Sequence, residues 1–361
     1  MSSFWQNNIS ISVFGEADGP AIGVTIDDLP PGEYIDTEEL RDFMSRRLIG
    51  SEYTIERGGD FPSILSGISN CRTTGAPVMA LLHNNERPTD EAGHVPRIAR
   101  PGNADYTGTV RYRGFNDVRH GGHLSRKLIA PLIFAGAVCG QILERRSIYI
   151  GAHIYSIHNI KDAPIDTINF SRDDVIALRH KKFPVLSDTK GARMRTDISK
   201  AAACGDSLGG VIECAAVNVP AGIGSPMFLG VENAISQLIF GIPLVSGIEF
   251  GAGFGSSKML GSQYNDEFYA DEHGHLVTRT NNHGGVLGGI TSGMPIVFRA
   301  AFRPNPELGR PVNAVDCSTL ESIVTGEADK ESACLVPSFV PAVEAAANIA
   351  ILSYMVDYPN F

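Results

Sequence analysis

The chain has 361 residues, of which 43% are hydrophobic and 19% charged, an ordinary globular composition with enough length for one large domain or two smaller ones. Its formal charge is −10, and no basic run offsets it. This excludes a general nucleic-acid binder, and an anionic small molecule must be met by local arginines working against the overall field.

Residues 9–13 and 21–26 read as two strands joined by Gly15-Glu16-Ala17-Asp18-Gly19. Asp36 then opens a helix as a cap acceptor, with the carboxylate of Glu39 three residues on. Leu40, Phe43, Met44 and Leu48 give that helix an apolar face at helical spacing. Arg46 and Arg47 fall in its last turn, where the helix dipole favours cations, a structural use that needs no ligand. Residues 130–143 are apolar nearly all round, which places a helix between layers. The longest apolar stretch, 128–143, is too short and too glycine-interrupted to span a bilayer. Residues 209–219 and 245–254 read as strands, and 225–240 as a helix closed by Gly241. Pro341 suits the first turn of a final helix over 342–356. No linker or repeat divides the chain, so the expectation is one α+β domain over residues 1–361, with helices packed between sheets.

Six cysteines (Cys71, Cys139, Cys204, Cys214, Cys317 and Cys334) lack metal-ligand spacing and read as reduced thiols, so no metal site is expected. The first residues show no basic and then apolar signal segment, which points to a cytoplasmic protein that does not engage a membrane.

Gly284, Gly285, Gly288, Gly289 and Gly293 leave a strip of backbone without side chains. Such a strip lies against a flat ring or offers N–H groups to a phosphate, and it is also the pattern of a plain turn. Gly121-Gly122-His123-Leu124-Ser125 precedes a helix, whose start favours an anion. These segments, with Arg100-Pro101-Gly102-Asn103-Ala104-Asp105-Tyr106 and Gly205-Asp206-Ser207-Leu208-Gly209-Gly210, resemble chorismate synthases in order from about Val13 to Glu344. The resemblance implies a β-α-β sandwich with helices between two mainly antiparallel sheets. It implies an FMN-dependent lyase that eliminates phosphate from 5-enolpyruvylshikimate 3-phosphate to give chorismate, in the shikimate pathway, and a homotetramer. Reduced FMN is then expected at Ser125, Asn281, Asn282, Gly284, Gly285, Gly288, Gly289 and Arg303. The anionic substrate, with two carboxylates and a phosphate, is expected at Arg47 (or its neighbour Arg46), Arg119 and Lys127, because guanidinium forks suit such groups.

The chain departs from the family at the positions that carry chemistry. The family's Gly-Glu-Ser-His-Gly reads Gly15-Glu16-Ala17-Asp18-Gly19, and Asn103 stands where the second histidine is found. Histidine suits proton donation because its pKa, roughly 6.5, lies near working pH. A carboxyl of ordinary pKa, ~3.9, is ionised there unless burial or a like charge raises it. Ser332 replaces the aspartate linked to loss of the C6 proton, and Ser338 replaces an arginine. Leu124 and Lys127 replace a serine and an arginine. Glu56 and Glu307 bring negative charge where an anion is to bind, which is unfavourable for Glu307 unless it points away. His120 and His123 are candidate replacement acids, with loop histidines bonded to backbone as the plain alternative, and His283 sits in the glycine segment. Two further readings therefore stay open: a paralogue using flavin on another carboxylated ring substrate, and a non-catalytic binding protein.

Overall fold

The computed structural model describes residues 3–48, 61–84, 97–325 and 333–358. Residues 49–51 and 54–58, including Glu56, lie outside the described residues, and so does the expected catalytic position Ser332.

Two five-stranded antiparallel sheets enclose two long helices. The first sheet runs in space Phe4–Gln6, Ser10–Gly15, Ala21–Asp27, Val78–His83, Ser63–Ser66. Its register sets Ile11 opposite Ile26 and Ile26 opposite Val78, so one face alternates into the core through Ile11, Val24, Ile26, Val78 and Ala80. The second sheet runs Ile160–Lys161, Tyr149–Ile157, Gly210–Val217, Ile296–Phe302, Val245–Phe250. Both faces of its middle strands are buried. Ile150, Ala152, Ile154, Ile212 and Cys214 join the main core, while Ala215, Val217 and Val297 pack with Ile165, Phe170 and Val175.

The helices Ile129–Glu144 and Val336–Met355 fill the space between the sheets. They touch closely because Gly136 faces Ala345: a Cβ on Gly136 would stand 2.2 Å from the Cβ of Ala345. Gly140, one turn on, faces Asn348 in the same way. The second helix is apolar and long enough to cross a membrane by composition, but 94% of that stretch is buried inside the protein, as a core helix requires. None of the six cysteines forms a disulfide with another described residue.

Local expectations fare unevenly. Asp36 caps the helix Thr37–Ser45 through Glu38 N and Glu39 N. The reciprocal bond comes not from Glu39 but from the core helix. Gln141 Oε1 accepts from Asp36 N and its amide donates to Asp36 O, both at 2.8 Å. The helix expected from residue 225 begins only at Val231, after a 3-10 turn at Met227–Leu229 and an extended Gly230. Gly241 follows it in right-handed rather than left-handed geometry. The last helix starts six residues early, at Val336, with Pro337 in its first turn and Pro341 inside. Pro341 lacks the N–H that would bond one turn back, and the near-complete burial of this helix overrides that loss.

Candidate functional site

Four loops meet beyond the ends of the first sheet. The 15–19 turn and the Arg119–Leu124 segment are joined by a bond from Ala17 N to Gly122 O. Gly122 must be glycine, since a Cβ there would fall 2.2 Å from the carbonyl oxygen of Asp117. His120, with φ +44, is held in left-handed backbone that a side chain normally avoids. Such strain persists only where surrounding contacts fix it. Here the contact is to Asp18: His120 Nδ1 lies 2.7 Å from Asp18 Oδ2. The Asp18 side chain is 7% exposed and that of His120 is 78% exposed, so a sunken carboxylate holds an imidazole at the surface.

His123 is placed differently. Its Nδ1 sits 2.7 Å from Gly15 O, and a carbonyl only accepts, so Nδ1 carries the proton. Nε2 is then the acceptor facing Ser3 Oγ. Both ring nitrogens of His123 are engaged, whereas the described contact of His120 uses Nδ1.

Arg119 forks onto Asp117, with Nη2–Oδ2 at 2.7 Å, and this hydrogen bond holds the Asp117 carboxyl below its usual range. Ser125 caps the turn Arg126–Leu128 that leads into the core helix, and Lys127 Nζ donates to Ala17 O at 3.3 Å. Lys127, Asp18, His120 and His123 are thus brought together around the 15–19 turn.

The loop carrying Asn103 is tied to the same group. Arg100 grips Asp105 through Nε and Nη2 at 2.8 and 3.0 Å, which raises its already high pKa. Its Nη1 reaches Glu307 Oε1 at 3.1 Å, while Arg126 Nη1 reaches Glu307 Oε2 at 3.3 Å. Arg303 Nη2 donates to Gly102 O. The negative charge expected to repel a phosphate is therefore turned onto two arginines. Asn103 is half-buried between Gly102 and Asp105.

The two arginines after the first helix divide sharply. Arg46 is buried and makes two bonds to the fully buried Glu344, at 2.5 and 2.9 Å. Glu344 also accepts from Ala152 N, so this pair joins helix, turn and sheet inside the core. Arg47 stays partly exposed and bonds Met44 O at 3.0 Å.

The glycine segment forms a second group. Asn281 is buried: its amide donates to Thr167 O and Pro295 O, and its oxygen accepts from Gly285 N. Asn282 donates to Gln263 O, Tyr264 O and Asp266. A side chain at Gly284, Gly285 or Gly289 would strike neighbouring backbone within 2.5 Å. At Gly288, with φ +63, nothing lies within 4 Å. Most of the bare strip is thus consumed by the protein's own packing, and Gly288 is where it faces open space, beside half-exposed Leu287. His283 Nδ1 accepts from Gly285 N, which puts the proton of the neutral ring on Nε2. That Nε2 is buried without a hydrogen-bond partner among the described residues, 3.5 Å from Asp266 Oδ2. Burial lowers the His283 pKa, and the charge of Asp266 opposes this only in part.

The two groups stand at opposite ends of one strand. Val297 N bonds Gly284 O, while Arg303 follows Phe302 at the far end of Ile296–Phe302. At about 3.3 Å per residue the separation is roughly 20 Å. The expected cofactor residues therefore fit an anionic planar ligand in two halves. Ser125 and Arg303 suit a phosphate, and the open face at Gly288 suits a flat ring. Sequence reasoning missed the partners that fix these residues, Asp117, Asp266 and Glu344. Each is an acid far in sequence or unremarkable in context, and only Glu344, the one charged residue of the helix Val336–Met355, gave a signal.

A family model described as chorismate synthase matches residues 9–356. The chorismate synthase of Thermococcus kodakarensis is 37% identical over 350 residues, 96% of each chain. That of Lancefieldella parvula is 36% identical over 375 residues, covering 100% of this chain and 98% of its own. A crystal structure of a chorismate synthase matches with a TM-score of 0.78 at 25% identity, over 98% of this chain and 93% of that one.

Proposed function

The chain belongs to the chorismate synthase family, and we propose that it is an FMN-dependent lyase converting 5-enolpyruvylshikimate 3-phosphate to chorismate, with His120 as its acid. The observation that carries this reading is the 2.7 Å contact of His120 Nδ1 with sunken Asp18. The family histidine of this turn is replaced by Asp18, and the imidazole returns one loop away, oriented by that aspartate. A carboxylate behind an imidazole fixes its tautomer and stabilises the charged ring. The proton then leaves from Nε2, the ring nitrogen that does not bond Asp18, on a side chain that is 78% exposed. His123, held at both nitrogens, is a positioning residue for the turn.

Reduced FMN, when bound, supplies the electron density that departure of the phosphate demands. Ser125 and Arg303 would hold its phosphate. Asn281, Asn282, Gly284, Gly285 and Gly289 would shape the wall from which Gly288 meets its ring. Because these two sets lie at opposite ends of a strand, we take the site to be completed by a second copy, in the tetramer that the family resemblance implies. Exposed Met227, Phe228, Leu229, Phe254 and Leu260 flank the segments that touch the glycine turn and supply apolar surface for such contacts. Arg119, Lys127 and Arg47 would meet the substrate's anionic groups. Asn103 can orient the substrate by hydrogen bonding but has no ionisable proton to give.

The test is anaerobic: reduced FMN and the shikimate ester are added to the protein and released phosphate is measured. Turnover above the protein-free background is expected, and its absence rejects the reading. A second reading is favoured by Asn103 and by half-exposed Leu124, which sets an apolar side chain against Gly108 at the mouth of the site. In that reading the chain is a paralogue acting on a different carboxylated ring. Flavin binding without phosphate release selects it, and failure to bind flavin selects a non-catalytic binding protein.

A further inference from the structure

We propose that Ser3 is a nucleophile activated by His123, and that it accepts the acyl group of an activated carboxylic ester. Ser3 Oγ lies within hydrogen-bond distance of His123 Nε2. His123 Nδ1 lies 2.7 Å from Gly15 O, and a carbonyl only accepts, so the ring proton is on Nδ1. Nε2 is then an unprotonated base, and the Ser3 hydroxyl is the donor to it. A hydroxyl aimed at a base that a third group orients is the arrangement of an activated nucleophile. Here the third group is a backbone carbonyl, one of the partners that commonly fix the tautomer of a histidine.

Backbone contacts hold each member of this group. Ser3 O accepts from Val13 N at 2.9 Å, and the next residue, Phe4, pairs with Ser12. Ser3 therefore sits beside Val13, two residues from Gly15 along the neighbouring strand, and one imidazole reaches both Ser3 and Gly15. Gly15 has φ +102, and a Cβ there would stand 2.5 Å from Ala21 O. Its carbonyl is thus aimed by a backbone conformation that glycine adopts and other residues avoid. His123 follows Gly122, which has φ +53 and ψ −125 and whose carbonyl accepts from Ala17 N. Ser3 is exposed and His123 is half-buried, so the hydroxyl is open to a solute while the base behind it is held. Ser66 supplies the contrast. It is exposed as well, but its Oγ donates to Pro77 O at 2.8 Å, a carbonyl that does not take up the proton.

In the step itself, Ser3 Oγ attacks the ester carbonyl carbon as its proton passes to His123 Nε2. The Oγ–C bond forms, the bond to the leaving oxygen breaks, and Nε2 gives the proton to that oxygen. The products are an ester on Ser3 and a free alcohol or phenol, and no further reactant is needed. The inference does not rest on the elimination reaction, because neither flavin nor the shikimate ester enters its test, and either can fail alone. The full chain is treated with p-nitrophenyl acetate, and acetylated residues are located and timed by tandem mass spectrometry of its peptides. Ser3 is expected to be acetylated at least about 10²-fold faster than Ser66, and His123→Ala is expected to slow Ser3 acetylation by about 10²–10⁴, the range for loss of a general base. Circular dichroism checks the fold, and His123→Gln repeats the measurement if the alanine variant does not fold. Acetylation of Ser3 no faster than that of Ser66 overturns the proposal, as does acetylation of Ser3 at the wild-type rate in a folded His123 variant.

Discussion

Two pairs in this protein set a basic side chain against a buried carboxylate and differ in one respect. In the core, Arg46 meets fully buried Glu344 and is itself sealed from water. At the loop mouth, His120 meets nearly buried Asp18 but keeps 78% of its side chain exposed. A sealed pair can only join elements, because neither partner can reach a ligand. A pair with its basic side chain outside can orient that side chain toward one. The comparison separates a basic side chain that can only join elements from one that can reach a ligand, which is why the proposed chemistry is assigned to the mouth.

The sealed pair should be the costlier to break. Glu344→Gln leaves Arg46 charged in the core and is expected to destabilise the fold by about 3–5 kcal/mol in denaturant unfolding. The double change Arg46→Met with Glu344→Leu should recover most of that loss, since apolar replacements of a buried pair are often neutral. If Glu344→Gln unfolds like wild type, the core pair is not structural and the contrast fails. The helix contact behind it is a smaller test. Gly136→Ala puts a methyl against Ala345 and should cost about 1–3 kcal/mol by overpacking, whereas Gly288→Ala, strained at φ +63 but open, should cost less.

The buried histidines sharpen the same point through pH. His153 is sealed between Asp162 and Glu213, with Nε2 2.9 Å from Glu213. Burial alone would lower its pKa, but hydrogen bonds to and charges of both carboxylates outweigh it, and the net direction is up. Its contribution is present in full below the unfolded value of about 6.5 and is lost as pH rises through the folded value. His283 is shifted down by burial. Its contribution is present above about 6.5 and is lost as pH falls toward the folded value, because the unfolded ring then binds a proton that the native ring refuses. Urea midpoints across pH should therefore lose their alkaline decline in His153→Asn and part of their acid decline in His283→Asn. The same slopes in variant and wild type would refute the assignments.

Much of the frame was legible in the sequence because it is written in local patterns. The apolar run after Ala130 is the core helix, the alternation around Ile9 and Ala21 is the first sheet, and Asp36 caps as its position indicates. The helix boundaries near Gly230 and Pro341 were misplaced because burial, not propensity, sets them. The sequence names candidate positions but not the contacts that set their roles. Arg46 and Arg47 are adjacent, and only Glu344, 298 residues away, separates the core cation from the exposed one. Asp18 and His120 are 102 residues apart, so their contact exists only in three dimensions. Glu307 read as an obstacle until Arg100 and Arg126 were seen to hold it.

The central claim is that the exposed member of the mouth pair gives the proton. The direct measurement compares anaerobic phosphate release by His120→Ala and His123→Ala with wild type, using reduced FMN and 5-enolpyruvylshikimate 3-phosphate. The account predicts a loss of about 10²–10⁴ in kcat for His120→Ala, the range for removing a general acid, and a much smaller change for His123→Ala. Phosphate release by His120→Ala at the wild-type rate would contradict it.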